Sequence, residues 1–195
     1  MPKTEKTFDP RARPLTWVSR HAGRIRPGGK VLDIACGHGR HTRYLLSLGY
    51  RVTAVDKDVS RLTPELRSDE SPGPANRAGD ERLTIIATDL EKSAWPFSAG
   101  QFDGIVVANY LYRPHFPHLI EALAEGGILI FDTFAVGNEE FGRPGNPDFL
   151  LKRGELLNAF SGDLSILAYE HVKTHDPRPA VRQRICAVKR IEVGP

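Results

Sequence analysis

The chain has only two cysteines, Cys36 and Cys186, a single methionine and two tryptophans in 195 residues. Two thiols cannot form a disulfide framework or supply the usual ligand set of a zinc site, so both read as buried free thiols. Long hydrophobic runs are also missing: Gly104 to Ala108 and Gly127 to Phe131 fall far short of the roughly 18 apolar residues that span a bilayer. Residues Met1 to Asp9 are charged and lack an apolar secretory core, so the expected protein is cytoplasmic with no membrane partner. No internal repeat or low-complexity tract is present. His38 and His41 stand three apart without evident further ligands, and no metal is expected.

What is there is ordinary globular material, 40% hydrophobic and 26% charged, enough for one domain over 1–195 with a sizeable core. The net charge of +3 is unevenly placed, with Lys3, Lys6, Arg11, Arg13, Arg20, Arg24, Arg26 and Lys30 set against Glu5 and Asp9. Such a cluster attracts phosphate, but Phe8 and Trp17 are the sole aromatics beside it for base stacking, so a nucleic-acid partner is the lesser reading. Oligomeric state is left open.

Arg13 to Ile25 reads as an amphipathic helix within an N-terminal extension over 1–28. Strands are expected at Lys30 to Ala35, Arg51 to Asp56, Leu83 to Thr88, Phe102 to Asn109 and Gly127 to Thr133. Helices are expected at Arg40 to Leu48, Ser60 to Arg67 and Phe116 to Glu125. A short helix at Gly154 to Phe160 precedes strands Leu164 to His171 and Val181 to Ile191, joined as an antiparallel hairpin. The Pro- and Gly-rich residues 68–80 read as a mobile surface loop, and 135–150 as a segment able to close over a site. Alternating strands and helices imply an α/β fold: a doubly wound, mostly parallel seven-stranded sheet with a C-terminal antiparallel hairpin and helices on both faces.

The chemistry concentrates where strands end. Val31-Leu32-Asp33-Ile34-Ala35-Cys36-Gly37-His38-Gly39-Arg40 runs from a strand through two glycines into a helix, and Asp56 ends the next strand. Glycines let backbone approach a ligand, a helix start offers free N–H groups, and the second acid can accept from ribose hydroxyls. An ordinary strand-turn-helix corner is the plain alternative. A pyrophosphate nest of the G-x-G-x-x-G kind is not matched, because Ala35, Gly37 and Arg40 occupy its three places, which favours a single nucleoside over a dinucleotide.

Asp33 to Gly39, Asp56, Asp89-Leu90 and the closing hairpin together resemble the class I, seven-strand Rossmann-like S-adenosylmethionine-dependent methyltransferases. Asp89-Leu90-Glu91 with Trp95-Pro96, Asn109 to Pro114 and Thr133 to Asn138 look like the tellurite-resistance-type bacterial subgroup. The resemblance implies S-adenosylmethionine as cofactor and S-adenosylhomocysteine as product. It implies that Asp33 anchors the methionine amino group and that backbone at Ala35, Cys36, Gly37 and Gly39 lines methionine and ribose. Asp56 would then bind the ribose hydroxyls, Lys57 would flank the adenine, and Asp89 and Leu90 would bind its edge. Asn109 would stand by the transferring methyl. Methyl transfer from a sulfonium is a displacement that needs alignment more than side-chain chemistry. A base, where one is needed, would come from Tyr110, Tyr112 or His115, with His38 and His41 also near. Arg113, Arg143, Arg178 and Arg182 are candidates to clamp an anionic acceptor. The expected enzyme acts on a small molecule; an RNA or protein methyltransferase and a non-catalytic cofactor-binding module are the alternatives.

Overall fold

The computed structural model describes residues 13–62, 66, 81–175 and 179–191. The first helix, α1 (Thr16–His21), is shorter than its apolar pattern: Leu15 is extended, and after His21 the chain tightens into a 3-10 turn, Ala22–Arg24. β1 (Lys30–Ile34), α2 (Arg40–Ser47) and β2 (Arg51–Asp56) follow as one βαβ unit. A 3-10 turn at Val59–Arg61 stands at the start of the helix expected from Ser60. Most of that helix, and the loop 68–80, lie outside the described residues.

β3 (Leu83–Ala87), β4 (Phe102–Ala108), α3 (Phe116–Ala122) and β5 (Leu123–Phe134) continue the alternation. α3 stops earlier than its pattern because Leu123 turns extended and pairs with Phe102, so β5 starts four residues before Gly127. Gly127 was the expected start because Glu125-Gly126-Gly127 reads as a turn. α4 (Glu155–Phe160) precedes β6 (Leu164–Thr174) and β7 (Ala180–Lys189).

The strand order is β3-β2-β1-β4-β5-β7-β6. The first four pairings, from β3 to β5, are parallel, while β7 runs antiparallel to both β5 and β6, so the last strand inserts between β5 and its hairpin partner β6. Alternate residues of each strand feed two cores. Val31, Val52, Val106, Ile128 and Ile130 pack with Trp17, Val18, Leu45 and Leu46 of α1 and α2. Leu32, Ile34, Val107, Leu129 and Phe131 pack with Leu119 of α3 and Leu156 and Phe160 of α4. Each central strand is therefore covered on both faces, which is why these strands read as continuous apolar runs. α2 buries His41, Thr42, Leu45 and Leu46 and leaves Leu48 exposed. The expected apolar stripe through Tyr44 and Leu48 is thus rotated toward two polar residues, each of which finds a partner inside.

Candidate functional site

The order reverses between β1 and β4: the chain leaves β1 toward β2 and leaves β4 toward β5. The space beyond the carboxyl ends of strands at such a reversal is the usual ligand position in open α/β sheets. Among the described residues, the two non-glycines with positive φ are Ala35 (52°) and Asn109 (56°), one at the end of each of these strands. Left-handed backbone is unfavourable for residues with a Cβ, and such strain collects at functional sites.

Asp33 enters from β1 on the α2 side and is 1% exposed. Thr42 Oγ1 donates to its Oδ2 at 2.6 Å, while among the described residues Oδ1 has no hydrogen-bond partner. Burial pushes the Asp33 carboxyl up to about 7, against a smaller downward pull from the Thr42 hydrogen bonds. An orphaned buried carboxylate oxygen is costly unless a ligand answers it.

Beyond Asp33 the turn is tied by backbone. Cys36 N donates to Val55 O at 3.1 Å and Gly39 N to Cys36 O at 2.9 Å. Gly37 adopts φ 56° with almost nothing near a notional Cβ, so its conformation rather than crowding calls for glycine. Gly39 has φ 77° and a Cβ there would run into Leu66. The Asp56 carboxylate joins two loops, accepting from Gly37 N at 2.8 Å through Oδ2 and from Asp58 N at 3.0 Å through Oδ1. Each oxygen keeps a second lone pair for a hydroxyl. Lys57 is exposed beside it. After β3, Asp89 is half-buried; its Oδ1 accepts from Glu91 N at 3.2 Å and its Oδ2 lies 3.8 Å from Lys92 Nζ, while Leu90 is buried.

The β4 and β5 ends carry a charged cluster on the same face as Asp33. Asp132 is fully buried; Arg182 Nε donates to its Oδ1 at 2.6 Å and Arg184 Nε lies 3.4 Å from Oδ2. Arg182 Nη2 also donates to Asn109 Oδ1 at 2.6 Å, and its guanidinium stacks 4.4 Å from the Phe134 ring centroid. Arg40, half-buried at the start of α2, feels Arg182, Asp33 and Asp132; burial first and Arg182 second lower its pKa.

The candidate bases Tyr110, Tyr112 and His115 line a small cavity together with Ile34 and Val107, at the carboxyl ends of β1 and β4 on the α3 side. Tyr110 and Phe116 pack against the α3/α4 core, and His115 sits among Trp95, Tyr112 and His118 with ring centroids 5.0, 4.6 and 6.1 Å away. Among the described residues neither His115 ring nitrogen has a hydrogen-bond partner, and burial, then His118, lowers its pKa. Burial and nearby Glu91 push the Tyr110 phenol up, and Tyr112 Oη donates to Glu91 O at 3.3 Å. His41 is buried: its Nε2 accepts from Leu15 N at 3.2 Å, and burial, then Arg40, holds its pKa down at about 3.

The 135–150 segment is stitched down. Asn138 donates to Pro144 O at 2.8 Å and accepts from Val181 N at 3.3 Å. Arg113 pairs with Glu155 at 2.6 Å and donates to Asp148 O and Leu150 O at 2.8 and 2.9 Å. Arg113 is thereby a strut between the β4 turn and this segment, and Arg178 lies outside the described residues. Among the described residues no group of three or more His, Cys, Asp or Glu could hold a metal ion.

Residues 8–178 match the methyltransferase-domain family. The chain belongs to this family. Over 117 residues it is 34% identical to a protein-L-isoaspartate O-methyltransferase of Chlorobaculum tepidum, covering 58% of this chain and 49% of that protein. It is 30% identical over 133 residues to a tRNA U34 carboxymethyltransferase of Methylococcus capsulatus, covering 64% and 38%. The chain thus spans about half the length, or less, of these curated relatives. In fold it is similar to TehB from Haemophilus influenzae, with a TM-score of 0.67 at 22% identity over 89% of this chain and 61% of that one. The architecture is that of the class I methyltransferases, and the cofactor their fold implies, S-adenosylmethionine, fits the donors present. Among the described residues Asp33 Oδ1 is a buried acceptor without a hydrogen bond, and each Asp56 oxygen accepts one backbone N–H and keeps a lone pair.

Three polar residues that meet at these strand ends were not singled out as site residues: Thr42, Asp132 and, in its contact with Asn109, Arg182. A threonine on the apolar face of α2 and an aspartate inside the apolar run of β5 were the available signals.

Proposed function

We propose that this domain transfers a methyl group from S-adenosylmethionine to an acceptor at the crevice between β1 and β4. The observation that carries the reading is the pair of left-handed non-glycines, Ala35 and Asn109, flanking the switch point beside the orphaned Asp33 oxygen. When bound, the cofactor supplies a methyl carbon activated by a positive sulfonium. Asp33 would hold the methionine ammonium through Oδ1, with Thr42 fixing the carboxylate from Oδ2. Backbone at Ala35, Cys36, Gly37 and Gly39 would line the methionine and ribose, and Asp56 would take the ribose hydroxyls. Lys57 would flank the adenine, Asp89 and Leu90 would meet its edge, and Asn109 would border the methyl.

For the acceptor, the curated relatives favour a macromolecule. At 34% and 30% identity, proteins named for protein L-isoaspartate and for tRNA U34 support a protein or RNA acceptor. The small-molecule reading has the weaker support of fold likeness. The 135–150 segment, tied to Arg113 and Val181 beside the crevice, would form one wall of the acceptor site in either case.

Calorimetry with S-adenosylhomocysteine tests the cofactor step. Saturable binding at micromolar ligand, lost in Asp56→Ala, is expected; absence of binding at millimolar ligand refutes the reading.

A further inference from the structure

His115 ends the 3-10 turn Arg113–His115 that follows β4. The turn is firmly held: His115 N donates to Tyr112 O at 3.1 Å, and the Arg113 guanidinium is tied to Glu155, Asp148 O and Leu150 O. The imidazole is 6% exposed and lines, with Tyr110 and Tyr112, the small cavity against Ile34, Val107 and Phe131. Ile34 precedes the left-handed Ala35, and Val107 stands two residues before the left-handed Asn109. The cavity is therefore set at the two strand ends that the methyl-transfer reading places around the cofactor. Among the described residues neither His115 ring nitrogen has a hydrogen bond. Buried polar atoms in that condition are costly unless a ligand meets them.

The other candidate bases are occupied. Tyr112 Oη donates to Glu91 O at 3.3 Å, and burial with nearby Glu91 raises the Tyr110 phenol, which keeps its proton at neutral pH. His41 Nε2 accepts from Leu15 N, and His38 Nδ1 contacts Arg61 O at 2.7 Å. The strands present only apolar Ile34, Val107 and Phe131 to His115. Its titratable neighbours are His118 on α3, at 6.1 Å between centroids, the two phenols, and Glu91 and Asp89 behind them. Burial, then His118, lowers the His115 pKa, against a smaller upward pull from the Leu90 carbonyl. The ring is neutral at pH 7, and an N–H turned toward Leu90 O leaves the other nitrogen as an open acceptor.

We propose that His115 is the general base of methyl transfer and that the acceptor is a neutral protic group, a hydroxyl, thiol or ring N–H, which enters this cavity; the proposal rests on the methyl-transfer reading above. The acceptor atom forms its bond to the methyl carbon as the carbon–sulfur bond breaks and its electron pair returns to sulfur. The acceptor's proton passes to the open His115 nitrogen. A positive sulfonium, a neutral acceptor and a neutral imidazole become a neutral thioether, a neutral methylated product and an imidazolium, which gives its proton to water once the product leaves. The cavity is small, so it takes the acceptor group and leaves the body of the acceptor outside.

Calorimetry with S-adenosylhomocysteine comes first; failure of that ligand to bind overturns the methyl-transfer reading, and the later steps judge only His115. Methyl-tritiated S-adenosylmethionine is then mixed with extracts of source cells that lack the gene, and transfer by the parent is compared with His115→Gln and His115→Ala. Both variants should bind S-adenosylhomocysteine within about threefold of the parent and lose about a hundredfold or more in single-turnover rate. The parent rate should rise with pH through the His115 ionisation, below the 6.5 of an ordinary histidine, and stay level above it. Imidazole added to His115→Ala should restore about tenfold or more, increasingly as rising pH neutralises the imidazole, which a merely structural histidine would not allow. His118→Gln, which removes a neighbouring positive charge, should move the rise to higher pH and keep the rate at pH 8; it carries the test where the His115 variants fail to fold. A folded His115→Gln that transfers within about threefold of the parent, His115→Ala unmoved by imidazole, or an unmoved pH profile in His118→Gln overturns the proposal. So does a parent that transfers no label, or label released as methanol at alkaline pH, since that marks the ester of a carboxylate, an acceptor that arrives without a proton.

Discussion

The two faces of the sheet are built from different chemistry. On the α1/α2 side, β1, β5 and β7 send Asp33, Asp132, Arg182 and Arg184 inward, where Thr42 and Asn109 meet them. On the α3/α4 side the same strands send Leu32, Ile34, Phe131 and Ile185 into a core closed by Leu119, Leu156 and Phe160. The dry face fixes the sheet. The polar face leaves two buried carboxylate oxygens, Asp33 Oδ1 and Asp132 Oδ2, without a hydrogen bond. The proposed cofactor contacts fall on this less completely satisfied face, where ligand groups would complete the pairing.

Removing a charge from the polar face is the severest way to break this contrast. Asp132 faces both Arg182 and Arg184 with no exposure of its own side chain. Asp132→Ala leaves two largely buried guanidiniums opposed to each other and should cost about 3–5 kcal/mol of folding stability, read as the urea midpoint. A loss under 1 kcal/mol would show that water reaches the cluster and that the two faces are not distinct in kind.

The two faces also differ in how far they could be read from residues alone. Apolar runs placed β1 and β2 to within a residue, because a strand covered on both sides is apolar over most of its length and turns polar chiefly near the end where it leaves the sheet. The order of strands, with β7 between β5 and β6, is set by pairing and is written in no single segment. Polar partnerships did not show in the same way. Asp132 and Arg182 are 50 residues apart, and no local pattern marks them as a pair. His41 reads as a solvated helix residue until α2 is rotated to satisfy Thr42 and Asp33. Arg113 reads as an acceptor clamp and is instead a strut, since Glu155 meets it only in the fold. Burial is a property of sequence periodicity; pairing of buried charges is a property of register.

A second prediction sharpens the contrast through Asp33. An unfolded aspartate titrates near 4, whereas burial holds Asp33 up to about 7. Between these values the unfolded chain has lost its proton and the native one keeps it. The unfolded state then binds fewer protons, so stability falls as pH rises from 4 to 7 and levels off above. Asp33→Asn should match the parent at pH 4 and exceed it by on the order of 2–4 kcal/mol at pH 8. The same variant should lose at least about tenfold in S-adenosylhomocysteine affinity, because the ligand's ammonium then meets an amide instead of a carboxylate. Urea titrations at several pH values, paired with calorimetry, check both. A parent protein that gains stability from pH 4 to 7 relative to the variant would show that Asp33 is already charged and answered without ligand.

The smallest effect is expected on the aromatic face. Tyr112 donates one hydrogen bond, at 3.3 Å, to the Glu91 carbonyl, and its ring packs edge-on 4.6 Å from His115. Tyr112→Phe keeps the ring and removes the hydroxyl, while the Glu91 carbonyl it served is at the surface and can turn to water. The expected cost is about 0.5–1 kcal/mol in urea unfolding, with methyl transfer retained to within about threefold. Retention matters more than the stability change, because Tyr112 was a candidate base. A base lost from the reaction would lower kcat by about a hundredfold or more and alter its pH profile. A large loss in Tyr112→Phe would place this hydroxyl in the reaction, in the cavity it lines with Ile34 and Val107.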